Sequence, residues 1–67
     1  MDFNIKELVT MYFGVELLRN NNESELDILP EGAFERNGLV DDIKACNSAM
    51  RKLKKILLER KVDIWNP

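Results

Sequence analysis

LVDDIKACNSAMRKLKKILLERKV, residues 39–62, decides the fold. Leu39, Ile43, Cys46, Met50, Leu53, Leu57, Arg60 and Ile64 follow one another at alternating spacings of four and three, and all but Arg60 are apolar. That spacing lines them up on one stripe of an α-helix, a heptad seam that calls for a facing helix. Ala49 and Ile56 widen the seam on one side, Val40 and Leu58 on the other. Asp41 and Asp42 open the segment while Arg60 and Lys61 close it, signs that suit the two poles of a helix. The stretch predicts a helix over 39–62. Because Pro67 cannot continue a helix, Ile64 and Trp65 are expected to fold back onto the bundle.

The facing helix is sought upstream. Asn4 is placed as an N-cap, Glu7 three residues later closes a capping box, and Phe3 and Leu8 stand where a hydrophobic staple would be. From Ile5 to Leu18 the apolar positions cover an arc of about 260° at 100° per residue, leaving a narrow polar strip at Lys6, Thr10 and Gly14. A helix packed on one neighbour needs a stripe of only about 100° or somewhat more. Asn20-Asn21-Asn22 are poor helix formers that favour turns, so the first helix is expected over 5–19. Residues 20–38 form an elbow too apolar for a plain linker, with Leu26, Ile28, Leu29, Ala33 and Phe34. Pro30 suits a first helical position and Asn37-Gly38 a C-terminal stop, which predicts a short helix over 30–36.

The expected fold is all-α: a helical hairpin of a shorter N-terminal helix, a short helical elbow and a long C-terminal helix, in one domain spanning 1–67. Helices of about 16 and 24 residues would differ in length by about 12 Å, leaving the long one overhanging. A chain of 67 residues buries only about 60% of its unfolded surface and needs reinforcement. Cys46 is the single cysteine and histidine is absent, so an intrachain disulfide and a conventional zinc site are both excluded. Dimerisation into a helical bundle is the remaining way to cover the apolar excess. Its contact residues are expected among Leu8, Tyr12, Phe13, Glu16, Leu17, Met50, Leu53, Leu57 and Trp65. Glu16 falls inside the apolar arc, where a carboxylate is costly unless paired. It would meet a lysine or arginine of the other helix, or set the register of an interface.

Charge divides along the chain. Residues 1–35 carry eight acidic side chains against two basic, and residues 36–67 eight basic against four acidic. Arg51, Lys52, Lys54, Lys55 and Lys61 would contact nucleic-acid phosphates or an acidic partner. They spread around the helix without interleaved aromatic residues, which also fits an ordinary solvated face. Glu23, Glu25, Asp27, Glu31 and Glu35 would contact a basic partner, or pair with the basic helix of a second copy. Cys46, in mid-seam with no histidine to act as base, reads as a buried small hydrophobe. The glycines make no phosphate-cradling loop.

No catalytic, metal or cofactor site is therefore expected. The N-terminus lacks a secretory signal pattern and no apolar run reaches the roughly 18 residues of a membrane span. With a lone cysteine this suggests a cytoplasmic setting. The function read from the sequence is a small non-enzymatic regulator or inhibitor that binds another protein, working as a homodimer. A nucleic-acid-binding dimer and a passive scaffold subunit are the alternatives. In size and helical character the chain resembles accessory proteins of phages and mobile elements, a likeness that carries no residue across.

Overall fold

In the computed structural model, which describes residues 2–65, two antiparallel helices of nearly equal length pack along one another. Helix α1 spans Ile5–Ile28 and α2 spans Glu35–Glu59. The capping box forms as its sequence demands. The Asn4 side chain accepts from the Glu7 backbone N–H at 2.7 Å, and the Asn4 N–H donates to Glu7 Oε1 at 2.9 Å.

The helical hairpin is as expected, but its proportions differ. The first helix does not stop at Asn20-Asn21-Asn22; it runs through them for two further turns. Three asparagines cost about 2 kcal/mol of helix propensity relative to alanine. Half-buried Leu26 and Asn22 keep this stretch against α2, and the helix end is capped from outside. Arg36 Nη1 donates to the carbonyls of Leu26 and Leu29, at 2.9 and 3.0 Å. That guanidinium satisfies acceptors a helix C-terminus otherwise leaves open.

The elbow shrinks correspondingly to residues 29–34. In place of a short helix over 30–36, the Ala33 N–H closes a tight turn onto the Pro30 carbonyl at 3.1 Å. Bonds from Arg36 to Ala33 and from Asn37 to Phe34 then lead directly into α2. Asn37 and Gly38, expected to stop a helix, lie in the first turns of α2, and no glycine takes a positive φ. The overhang anticipated for the second helix is therefore absent: α1 has 24 residues and α2 has 25.

α2 ends at Glu59 rather than 62, in a Schellman arrangement. The Val62 N–H reaches the Leu57 carbonyl and the Lys61 N–H the Leu58 carbonyl, both at 2.9 Å. Lys61 sits at φ 61°, a left-handed conformation usually given to glycine. Trp65 folds back as anticipated. Its indole N–H donates to the Tyr12 hydroxyl at 2.9 Å, with the rings edge to face at 5.1 Å. Asn66 and Pro67 lie outside the described residues.

The core is a single seam. Leu8 and Tyr12 of α1 meet Cys46, Met50 and Leu57 of α2, and Leu57 is wholly enclosed. Burial of the Cys46 thiol agrees with its reading as a small hydrophobe. Among the described residues no helix is long and apolar enough to cross a membrane.

Candidate protein-contact surfaces

The two helices differ in how they spend their apolar residues. In α2 most of these sit on the side facing α1, with Ile56 and Leu58 exposed at its margins, and the outer side carries Lys44, Arg51, Lys52, Lys55 and Glu59, all exposed. In α1 they go nearly all the way round. The core takes one side, leaving Phe13, Leu17 and Leu18 between 50 and 62% exposed. Between Thr10 and Asn22 the charges on α1 are Glu16 and Arg19, both half-buried toward α2. The outer flank of α1 is therefore uncharged over more than three turns.

Of the residues expected to make intermolecular contacts, Leu8, Tyr12, Met50 and Leu57 are buried inside the hairpin. Leu53, Glu16 and Trp65 are half-buried, whereas Phe13 and Leu17 remain open to a partner. The periodicity that marks a residue as apolar does not say which neighbour will cover it, so core and surface positions were read together. Glu16 meets no lysine or arginine among the described residues, which corrects the intrachain pairing, and its half-buried carboxylate keeps part of its hydration.

The elbow forms a second surface. Among the described residues Ile28 and Phe34 are the most exposed large hydrophobic ones, at 80 and 81%. Glu23, Glu25, Asp27, Glu31 and Glu35, the anticipated acidic group, are all exposed around them. Arg36 is the one cation between Asn20 and Ile43, and its guanidinium is turned onto the α1 carbonyls. Nothing basic on that end of the chain neutralises the carboxylates.

The opposite, open end is basic. Arg51, Lys52 and Lys55 line a shallow depression with Ser48. Lys54 points elsewhere, its ammonium 4.9 Å from the centre of the Trp65 ring, a cation–π contact that fixes the folded-back tail. Arg60 Nη1 donates to the Phe3 carbonyl at 2.6 Å, tying the end of α2 to the entry of α1. Lys61 is exposed at the helix stop.

Two arginines that the sequence did not single out organise the middle and the elbow. Arg36 caps α1, and Arg19 bridges the helices through Asn47 Oδ1 at 3.3 Å while also reaching Asn20 Oδ1 at 3.2 Å. The Arg19 Nε is enclosed without a hydrogen-bond acceptor. No local sequence signal marks either residue, because their acceptors lie across the hairpin or on an unrelated turn.

No group of three or more metal-ligating side chains comes together among the described residues. Comparison with known proteins adds no relative: no family model, no curated protein and no solved structure matches this chain.

Proposed function

We propose that this protein is a non-enzymatic regulator or inhibitor that acts by protein–protein binding as a homodimer, its acidic elbow docking onto a basic patch of its target. The observation that carries this is the pairing of Phe34 and Ile28, four-fifths exposed, with five surrounding carboxylates and no free cation at that end. Aromatic and aliphatic anchors supply affinity when a partner pocket desolvates them, and the flanking charges supply selectivity and speed of encounter. A tip built this way fits a hydrophobic pocket rimmed by lysine or arginine.

Affinity capture compares the intact protein with two variants, Phe34→Ala and the pair Lys52→Glu/Lys55→Glu. A target with a basic contact surface, lost with Phe34→Ala and kept with the double reversal, supports the elbow reading. Loss with the double reversal alone, together with affinity that collapses as salt rises, would instead establish nucleic-acid binding. That second reading draws on the convergence of Arg51, Lys52 and Lys55 at one depression.

A further inference from the structure

The hairpin converts a division of charge along the sequence into a division along the molecule. Because α1 and α2 run antiparallel, the acidic end of α1 comes beside the acidic start of α2. Residues 20–43 hold seven carboxylates against Arg36, while residues 2–10 and 51–65 together hold seven cations against four carboxylates. The two ends lie at opposite poles of a body 44 Å long. Salt screens charge over about 8–10 Å, so each pole meets a partner as its own local field.

The hairpin is also a thin body, 29 Å across and 14 Å thick. It exposes 5218 Å². A compact monomer of its mass exposes about 4,400 Å². The excess, about 800 Å², matches what each partner contributes to an interface of standard size.

We infer that two copies pair antiparallel through the uncharged outer flank of α1, so that their two acidic elbows lie at opposite poles of the pair. This rests on the reading of the protein as self-associating, and it fixes the face and the direction. Phe13, Leu17 and Leu18 supply the apolar contact. Gly14 lies among them, and a Cβ there would meet nothing within 4 Å. Within a helix a glycine costs about 1 kcal/mol relative to alanine, and here it opens a notch opposite Leu17 of an antiparallel copy. Lys6 then approaches the Glu23–Asp27 segment of the second copy. A parallel pair would set two strongly acidic elbows side by side, an arrangement that like-charge repulsion opposes. The symmetry is a two-fold near the middle of α1, with the two α2 helices outermost.

The experiment is carbodiimide coupling of an equal mixture of unlabelled and ¹⁵N-labelled full-length protein, read by mass spectrometry beside solution mass. Mixed-isotope peptides joining Lys6 to Glu23, Glu25 or Asp27 are expected. A dimeric mass without those links overturns the antiparallel pairing and leaves self-association standing. A monomeric mass at every concentration overturns both, while binding through the elbow is still judged by Phe34→Ala.

Discussion

Arg36→Met removes the one cation at the elbow while keeping an unbranched apolar stem of similar length. Its guanidinium makes two part-buried hydrogen bonds, to Leu26 O at 2.9 Å and Leu29 O at 3.0 Å. Hydrogen bonds from a charged donor contribute about 1.5–3 kcal/mol, and a cation at a helix C-terminus adds about 0.3–1 kcal/mol. Both bonds leave one nitrogen near the surface, so the lower end applies and the loss should be about 2 kcal/mol. Total stability of a domain this size is about 3–10 kcal/mol, so the melting temperature should fall by roughly 8–16 °C. The loss should also be local. Without its cap, α1 should fray back through the asparagines, and amide exchange should accelerate over 20–28 while 8–16 stay protected against sub-global opening. Thermal denaturation by circular dichroism and residue-resolved hydrogen exchange read the two effects. A shift of only a degree or two, or exchange that accelerates evenly along α1, would refute the argument that Arg36 carries the helix past Asn22.

Other substitutions probe the remaining parts of the fold. Leu57→Ala empties the one fully enclosed position and should cost about 2–5 kcal/mol, enough to leave much of the protein unfolded by urea titration. Tyr12→Phe strips the Trp65 indole N–H of its acceptor and should cost about 1 kcal/mol, with Trp65 fluorescence reporting looser docking of the tail. Lys61→Gly relieves a left-handed residue and should stabilise by about 0.5–1 kcal/mol after its entropy cost; an unchanged or lowered melting temperature would contradict the strain argument.

Local chemistry explains what was legible in the sequence. The heptad seam from Leu39 to Leu57 fixed α2 as the partner of another helix, and Asn4 with Glu7 fixed the start of α1 to the residue. The capping box depends only on groups within four residues, so sequence reading resolves it. The end of α1 is different. Asn20-Asn21-Asn22 and Asn37-Gly38 are stop signals by local propensity, yet both stretches are helical. The deciding interaction, Arg36 on Leu26 and Leu29, joins residues seven and ten apart across a turn. The contact surfaces were half legible for a related reason. Composition showed α1 to be apolar around most of its circumference. Only the packing against Cys46, Met50 and Leu57 separated core residues Leu8 and Tyr12 from open residues Phe13 and Leu17. The end-to-end charge division likewise needed the antiparallel fold to bring Glu23–Asp27 beside Asp41 and Asp42.

Self-association through the outer flank of α1 is tested most directly by solution mass of the intact protein and of Leu17→Glu over a wide concentration range. Leu17 is 62% exposed, so the substitution leaves the hairpin core untouched. The account predicts twice the 7.8 kDa chain mass for the intact protein and a helical monomer for Leu17→Glu. An intact protein that stays monomeric at every concentration, or a Leu17→Glu variant that pairs as tightly as the original, would contradict it.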